Sequence, residues 1–139
     1  MTRLQLALNV SDLDSAVDFY TKLFATAPAK RRPGYANFAI ADPPLKLVLF
    51  EGAGVPGSLN HLGIEVATTD EVRAAQARLS ADDLDTTTED GVACCFAVQD
   101  KVWVDGPDDR PWEIYTVLGD VTDSDTCCDT APESAARCG

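Results

Sequence analysis

A gapless internal repeat restricts what this chain can fold into more than any other feature. Residues 61–66 (HLGIEV) reproduce the alternation of residues 5–10 (QLALNV), and Pro111-Trp112-Glu113-Ile114 falls on Pro44-Leu45-Lys46-Leu47. A repeat of this kind predicts one small architecture used twice. Each half alone has too little apolar material for a core, so the two halves are expected to fold as one domain of 139-residue-chain size.

The local patterns define the repeated unit. In Arg3–Val10, Leu4, Leu6, Leu8 and Val10 alternate with Gln5, Ala7 and Asn9, which is the period of a strand. Ser11 or Asp12 can cap a following helix, in which Leu13, Ala16, Val17, Tyr20, Leu23 and Phe24 recur at helical spacing. Lys30-Arg31-Arg32-Pro33-Gly34 reads as a basic loop. Two strand-like runs follow, Tyr35–Ala41 and Leu45–Glu51, joined by the turn residues Asp42-Pro43-Pro44. Gly52–Ser58 reads as a linker.

The second half restarts at His61. Thr69 or Asp70 can cap a helix reaching about Leu79, with Val72, Ala75, Gln76 and Leu79 on its inner stripe. Strand-like runs then lie near Asp85–Thr88, Phe96–Asp100, Lys101–Val104 and Trp112–Leu118. The expected fold class is α+β: two βαβββ modules, about 3–52 and 59–118, whose curved sheets pack into a half-open barrel as a single domain over residues 1–119. Residues 120–139 carry five acids against one base and almost no large apolar residue, and read as an acidic, Cys-containing flexible tail.

Charge narrows the partners. The formal net charge of −12 argues against nucleic acid and anionic membrane surfaces. The longest apolar runs, such as Leu45–Phe50, are strand-length and too short to span a bilayer. The start of the chain shows no signal-peptide pattern, so the expected location is the cytoplasm. The five cysteines, Cys94-Cys95, Cys127-Cys128 and Cys138, are odd in number and clustered. In a reducing compartment that favours thiolate chemistry over a disulfide framework.

The repeat also picks out four equivalent inward positions, Gln5, Lys46, His61 and Glu113, expected to converge on one shared cavity. Lys46 is a cation and no ligand. One imidazole, one carboxylate and one amide, with other positions open, suit Fe(II), with Mn, Co, Ni or Zn able to substitute in crystals. His61 is the only histidine of the chain. A lone histidine is more often a hydrogen-bonded structural residue, but here the repeat selects it together with Glu113. Gln5 is a poorer donor and reads either as a weak ligand or as a polar cavity residue.

Cys94 and Cys95 would face opposite ways in a regular strand, yet in a loop after Gly91 they can turn toward one centre. Two adjacent thiolates suit a soft ion such as trivalent arsenic or cadmium, and the plainer alternative is that they only pack. Cys127, Cys128 and Cys138 are candidate accessory thiols that pass soft ions to the cleft, or are incidental.

The paired modules, with His61 opening the second and Pro111–Tyr115 (PWEIY) closing it, resemble the vicinal oxygen chelate superfamily of glyoxalases and extradiol dioxygenases. Within it, the runs Pro33–Leu49, Asn60–Gly63 and Cys94–Val104 resemble the bacterial organoarsenical C–As lyases, a family that includes cadmium-induced proteins. The resemblance covers about residues 3–118. It implies a non-haem Fe(II)- and O₂-dependent, dioxygenase-type lyase that cleaves the carbon–arsenic bond of trivalent organoarsenicals, such as methylarsenite and aromatic arsenicals, to arsenite in arsenic detoxification. By the same resemblance Gln5, His61 and Glu113 hold the metal and Cys94 and Cys95 hold the arsenic. The competing reading is a non-catalytic Cd(II)/As(III)-binding stress protein. A different enzyme of the superfamily would leave Cys94-Cys95 without a role. A monomer and a homodimer are both compatible with the sequence.

Overall fold

The structure, a computed structural model, describes residues 2–94 and 96–120, with the side chain of Cys94 excluded. The expected tail lies outside the described residues apart from Asp120. The chain divides into two compact units, Arg3–Asn60 and a second beginning at His61. Each is a βαβββ module, as the repeat predicts.

The first unit runs β1 (Arg3–Val10), α1 (Leu13–Phe24), β2 (Lys30–Arg32), β3 (Tyr35–Ile40) and β4 (Leu45–Glu51). β1 pairs in parallel with β4, β4 antiparallel with β3, and β3 antiparallel with β2. The basic segment expected as a loop is therefore a short strand. Three residues of pairing to Tyr35, Ala36 and Asn37 are too few to leave a periodic signature. Asp12 caps α1 by accepting from the Ser15 amide at 3.3 Å, and Glu51 accepts from the Leu13 amide at 2.7 Å. Leu13 and Val17 of α1 pack on Phe38, Ile40, Leu45, Leu47 and Leu49, with Leu6, Leu8 and Val10 beside them.

The second unit runs β5 (Leu59–Glu65), which carries the chain across the boundary, then α2 (Thr69–Ala81), β6 (Thr86–Cys94), β7 (Ala97–Gly106), a 3₁₀ turn (Pro107–Asp109) and β8 (Arg110–Asp120). β5 pairs in parallel with β8, β8 antiparallel with β7, and β7 antiparallel with β6. The cap of α2 is Thr68, not Thr69 or Asp70: its side chain accepts from the Glu71 amide, and Glu71 returns a carboxylate oxygen to the Ala67 amide at 2.8 Å. Phe96–Asp100 and Lys101–Val104, read as separate runs, belong largely to the one strand β7. Val72 and Leu79 pack on Val102 and Ile114, with Ile64, Val66 and Val104 around them.

In each unit the helix covers the aliphatic face of its sheet; Gln5, Lys46, His61 and Glu113 lie on the opposite face of their strands and are buried as well. On β1, Gln5 and Ala7 are fully buried while Leu4 is 42% exposed. The apolar side of an alternating strand is thus not the more protected one here.

Gly52–Ser58, expected as a linker, is docked against β1. Its Gly57 amide donates to Asn9 O at 2.8 Å, the Asn9 amide donates to Ser58 O at 2.9 Å, and Asn9 Nδ2 donates to Ser58 Oγ at 3.0 Å. A Cβ on Gly54 would stand 2.6 Å from Asn9 Nδ2, so a larger residue there would push the Asn9 amide out of its present position. Asn60 Nδ2 donates to Asn9 Oδ1 at 3.1 Å, which fixes the chain immediately before His61.

Candidate metal centre

His61 stands on β5 and Glu113 on β8, both fully buried. His61 Nε2 lies 2.6 Å from Glu113 Oε2. The other carboxylate oxygen, Oε1, lies 2.9 Å from Nζ of Lys101 on β7, also fully buried. Burial alone pushes the Glu113 carboxyl up; the charges of Lys101 and then His61 outweigh it and hold the group below the usual carboxylate range. The site therefore presents an ionised carboxylate in a dry environment, which is affordable only because both of its oxygens face cationic or proton-bearing partners.

Register explains how the two side chains meet. Gln5 pairs with Lys46 in the first unit, but Glu113 pairs with Gly63 and not with His61 in the second. The gapless alignment of the repeat is thus offset by two residues in strand register. A two-residue slip keeps every side chain on its original face, so His61 and Glu113 still share one. They meet diagonally across Gly63, which has no side chain to intervene.

Aromatic residues close the site from the neighbouring strand. Trp103, the ladder partner of Glu113, sets its ring 5.4 Å from the His61 ring at 70°, and its Nε1 donates to Glu89 Oε1 at 2.7 Å. Lys101 Nζ lies 5.3 Å from the centre of the Trp103 ring and 5.8 Å from that of Tyr115. Sequence reasoning passed over Lys101 and Trp103. The signal was present: Gln99, Lys101 and Trp103 alternate with Val98, Val102 and Val104 as Gln5 does with its leucines. It becomes readable only when β7 is taken as one strand.

The donor chemistry fits a divalent cation. His61 Nε2 and Glu113 Oε2, 2.6 Å apart, are a nitrogen–oxygen donor pair of the kind that first-row divalent cations take. Among the described residues no group of three His, Cys, Asp or Glu side chains is placed to hold a metal, so a third protein donor among them has to be of another type. Gln5 is a fully buried amide on β1, and Lys46 beside it in register is nearly so.

The sulfur residues are only partly visible. Cys94 ends β6, its backbone opposite Ala97, the first residue of β7. The Cys94 side chain, Cys95, Cys127, Cys128 and Cys138 lie outside the described residues. The strand leading to Cys94 is bulged between Glu89 and Val92, and the bulge is clamped. The Gly91 amide donates to Asp100 Oδ1 at 2.6 Å, Thr69 Oγ1 donates to Asp100 Oδ2 at 2.7 Å, and Arg73 pairs with Asp90 at 2.5 Å. The Thr69 and Gly91 donors hold the Asp100 carboxyl below its usual range despite burial. Its contribution to stability is complete above the ordinary Asp value of 3.8 and fades as pH falls through the lower folded value. Urea unfolding of wild type and Asp100→Asn should therefore differ at neutral pH and converge in acid. A gap that stays constant down to pH of about 2 would rule out the ionised clamp.

Residues 3–114 match the Glyoxalase/Bleomycin resistance protein/Dioxygenase superfamily. The chain is 62% identical over 120 residues to a cadmium-induced protein of Mycobacterium bovis, covering 86% of this chain and 79% of that one. It is 56% identical over 134 residues to a trivalent organoarsenical cleaving enzyme of Thermomonospora curvata, covering 92% and 89% respectively. In structure it is similar to the Mn(II)-bound glyoxalase of Novosphingobium aromaticivorans, with a TM-score of 0.62 at 15% identity, over 87% of this chain and 42% of that one. Among the described residues no helix is long and apolar enough to cross a membrane. With its paired βαβββ modules and its match over most of its length, the chain belongs to the Glyoxalase/Bleomycin resistance protein/Dioxygenase superfamily.

Proposed function

We propose that the protein is an Fe(II)- and O₂-dependent lyase that cleaves the carbon–arsenic bond of trivalent organoarsenicals, such as methylarsenite, and releases arsenite. The observation that carries this reading is the buried His61–Glu113 pair at 2.6 Å, in a chain 56% identical to a trivalent organoarsenical cleaving enzyme. His61, Glu113 and Gln5 hold the metal, with Gln5 as the amide donor. Iron bound there supplies the redox chemistry with O₂ that no side chain of the protein can perform.

The chain's own residues do the rest. Cys94 and Cys95 bind arsenic(III) as thiolates, which fixes the substrate and removes the entropic cost of its encounter with the second reactant. Lys101 keeps the Glu113 carboxylate ionised and in place. Trp103 packs edge-on against His61 and limits its rotation. The test is incubation of anaerobically purified, Fe(II)-loaded full-length protein with methylarsenite and O₂. Arsenite should appear only when all three are present, and its absence removes the enzyme reading.

A second reading is supported by the 62% identity to a cadmium-induced protein. In it, the five thiols sequester Cd(II) or As(III) without turnover. Metal analysis separates the two. One iron per chain with O₂ consumption favours the lyase, and several soft ions per chain with none favours sequestration.

A further inference from the structure

The Glu113 carboxylate has two oxygens, and the protein uses them differently. Oε2 faces His61 Nε2 at 2.6 Å, whereas Oε1 faces the Lys101 ammonium at 2.9 Å. We propose that Lys101 is a positioning residue that reserves Oε1, so that Glu113 ligates through Oε2 alone and leaves one more coordination position for the reactants. This rests on the metal site proposed above. Three observations carry it. Lys101 is fully buried, so its charge is neither screened nor free to swing into solvent. Its ammonium is further confined over the rings of Trp103 and Tyr115. It also enters from β7, whereas His61 enters from β5, so the two approach the carboxylate of β8 from opposite neighbouring strands.

A carboxylate released from that partner has both oxygens available to one cation. A buried positive charge beside the site also opposes binding of a divalent ion. The arrangement thus trades metal affinity for an open position, a balance that an enzyme using two further ligands requires and a storage site does not.

The test uses Mn(II) and Co(II) titrations of metal-free, full-length protein, read by affinity and by the metal-minus-apo infrared difference spectrum. The splitting of the carboxylate stretches distinguishes one-oxygen from two-oxygen ligation. Wild type should show the wide splitting of one-oxygen ligation. Lys101→Met should show the narrow splitting and bind Mn(II) on the order of tenfold more tightly. Lys101→Gln keeps a donor without the charge and should tighten binding yet retain the wide splitting. Should Lys101→Met fail to fold, Lys101→Gln and Lys101→Arg carry the test, because Arg restores both properties and should behave as wild type. A purely structural lysine would weaken metal binding in every variant, which overturns the proposal, as does a wide splitting and unchanged affinity in Lys101→Met. Wild-type protein that binds neither ion sinks the metal site itself.

Discussion

His61→Ala is expected to abolish metal binding and arsenite release together while leaving arsenical capture intact. Disturbing an outer partner of a metal ligand commonly costs about 10–100-fold in affinity, so deleting a nitrogen ligand should cost more than that. Cys94→Ser and Cys95→Ser should show the reverse: iron retained, binding of methylarsenite lost, turnover gone. The measurements are iron content after gel filtration and equilibrium binding of the arsenical under anaerobic conditions. In the proposed arrangement the separation is sharp because the two functions use chemically distinct donors, a nitrogen–oxygen set for the harder ion and sulfur for the soft one. If all three variants lost iron to the same extent, the assignment of separate roles would be wrong.

The second large effect concerns stability. Glu113→Ala removes the partner of two buried groups, Lys101 and His61, and strands an ammonium in a dry interior. Breaking a buried pair from one side typically costs about 3–5 kcal/mol. In a protein of this size that lowers Tm by more than about 10 °C. Removing both ends restores most of the loss, so Glu113→Leu combined with Lys101→Met should unfold at a higher temperature than Glu113→Ala. A double variant no more stable than the single one would show that the charge pair is not the source. The effect also depends on pH in a defined sense. The folded carboxyl sits below the ordinary Glu value of 4.5, so its contribution is complete above that value and is lost as pH falls through the folded one. The difference in thermal midpoint between wild type and Glu113→Ala should shrink in acid accordingly.

Much of the fold was legible because alternation has a period of two in a strand. Side-chain direction follows from position alone, so Gln5, His61 and Glu113 could be assigned to one type of face from the chain's text. Helices α1 and α2 were legible for the same reason at their own period. Less visible were β2, with only three paired residues, and the Gly52–Ser58 segment, whose docking on Asn9 depends on a contact that Gly54 permits by lacking a side chain.

Sequence by itself determined the duplicated βαβββ plan, the face on which each polar residue stands, and the identity of the chain's single histidine as a site residue to weigh. Tertiary structure decided the pairing of His61 with Glu113, the two-residue difference in register between the units, and the placement of Lys101 on the second carboxylate oxygen. The physical reason is that ladder hydrogen bonds are made by a backbone common to all residues. A slip of two leaves those bonds and both faces unchanged. Which charges become neighbours is then settled by the packing of each helix on its sheet and by the cost of burying a charge without a partner.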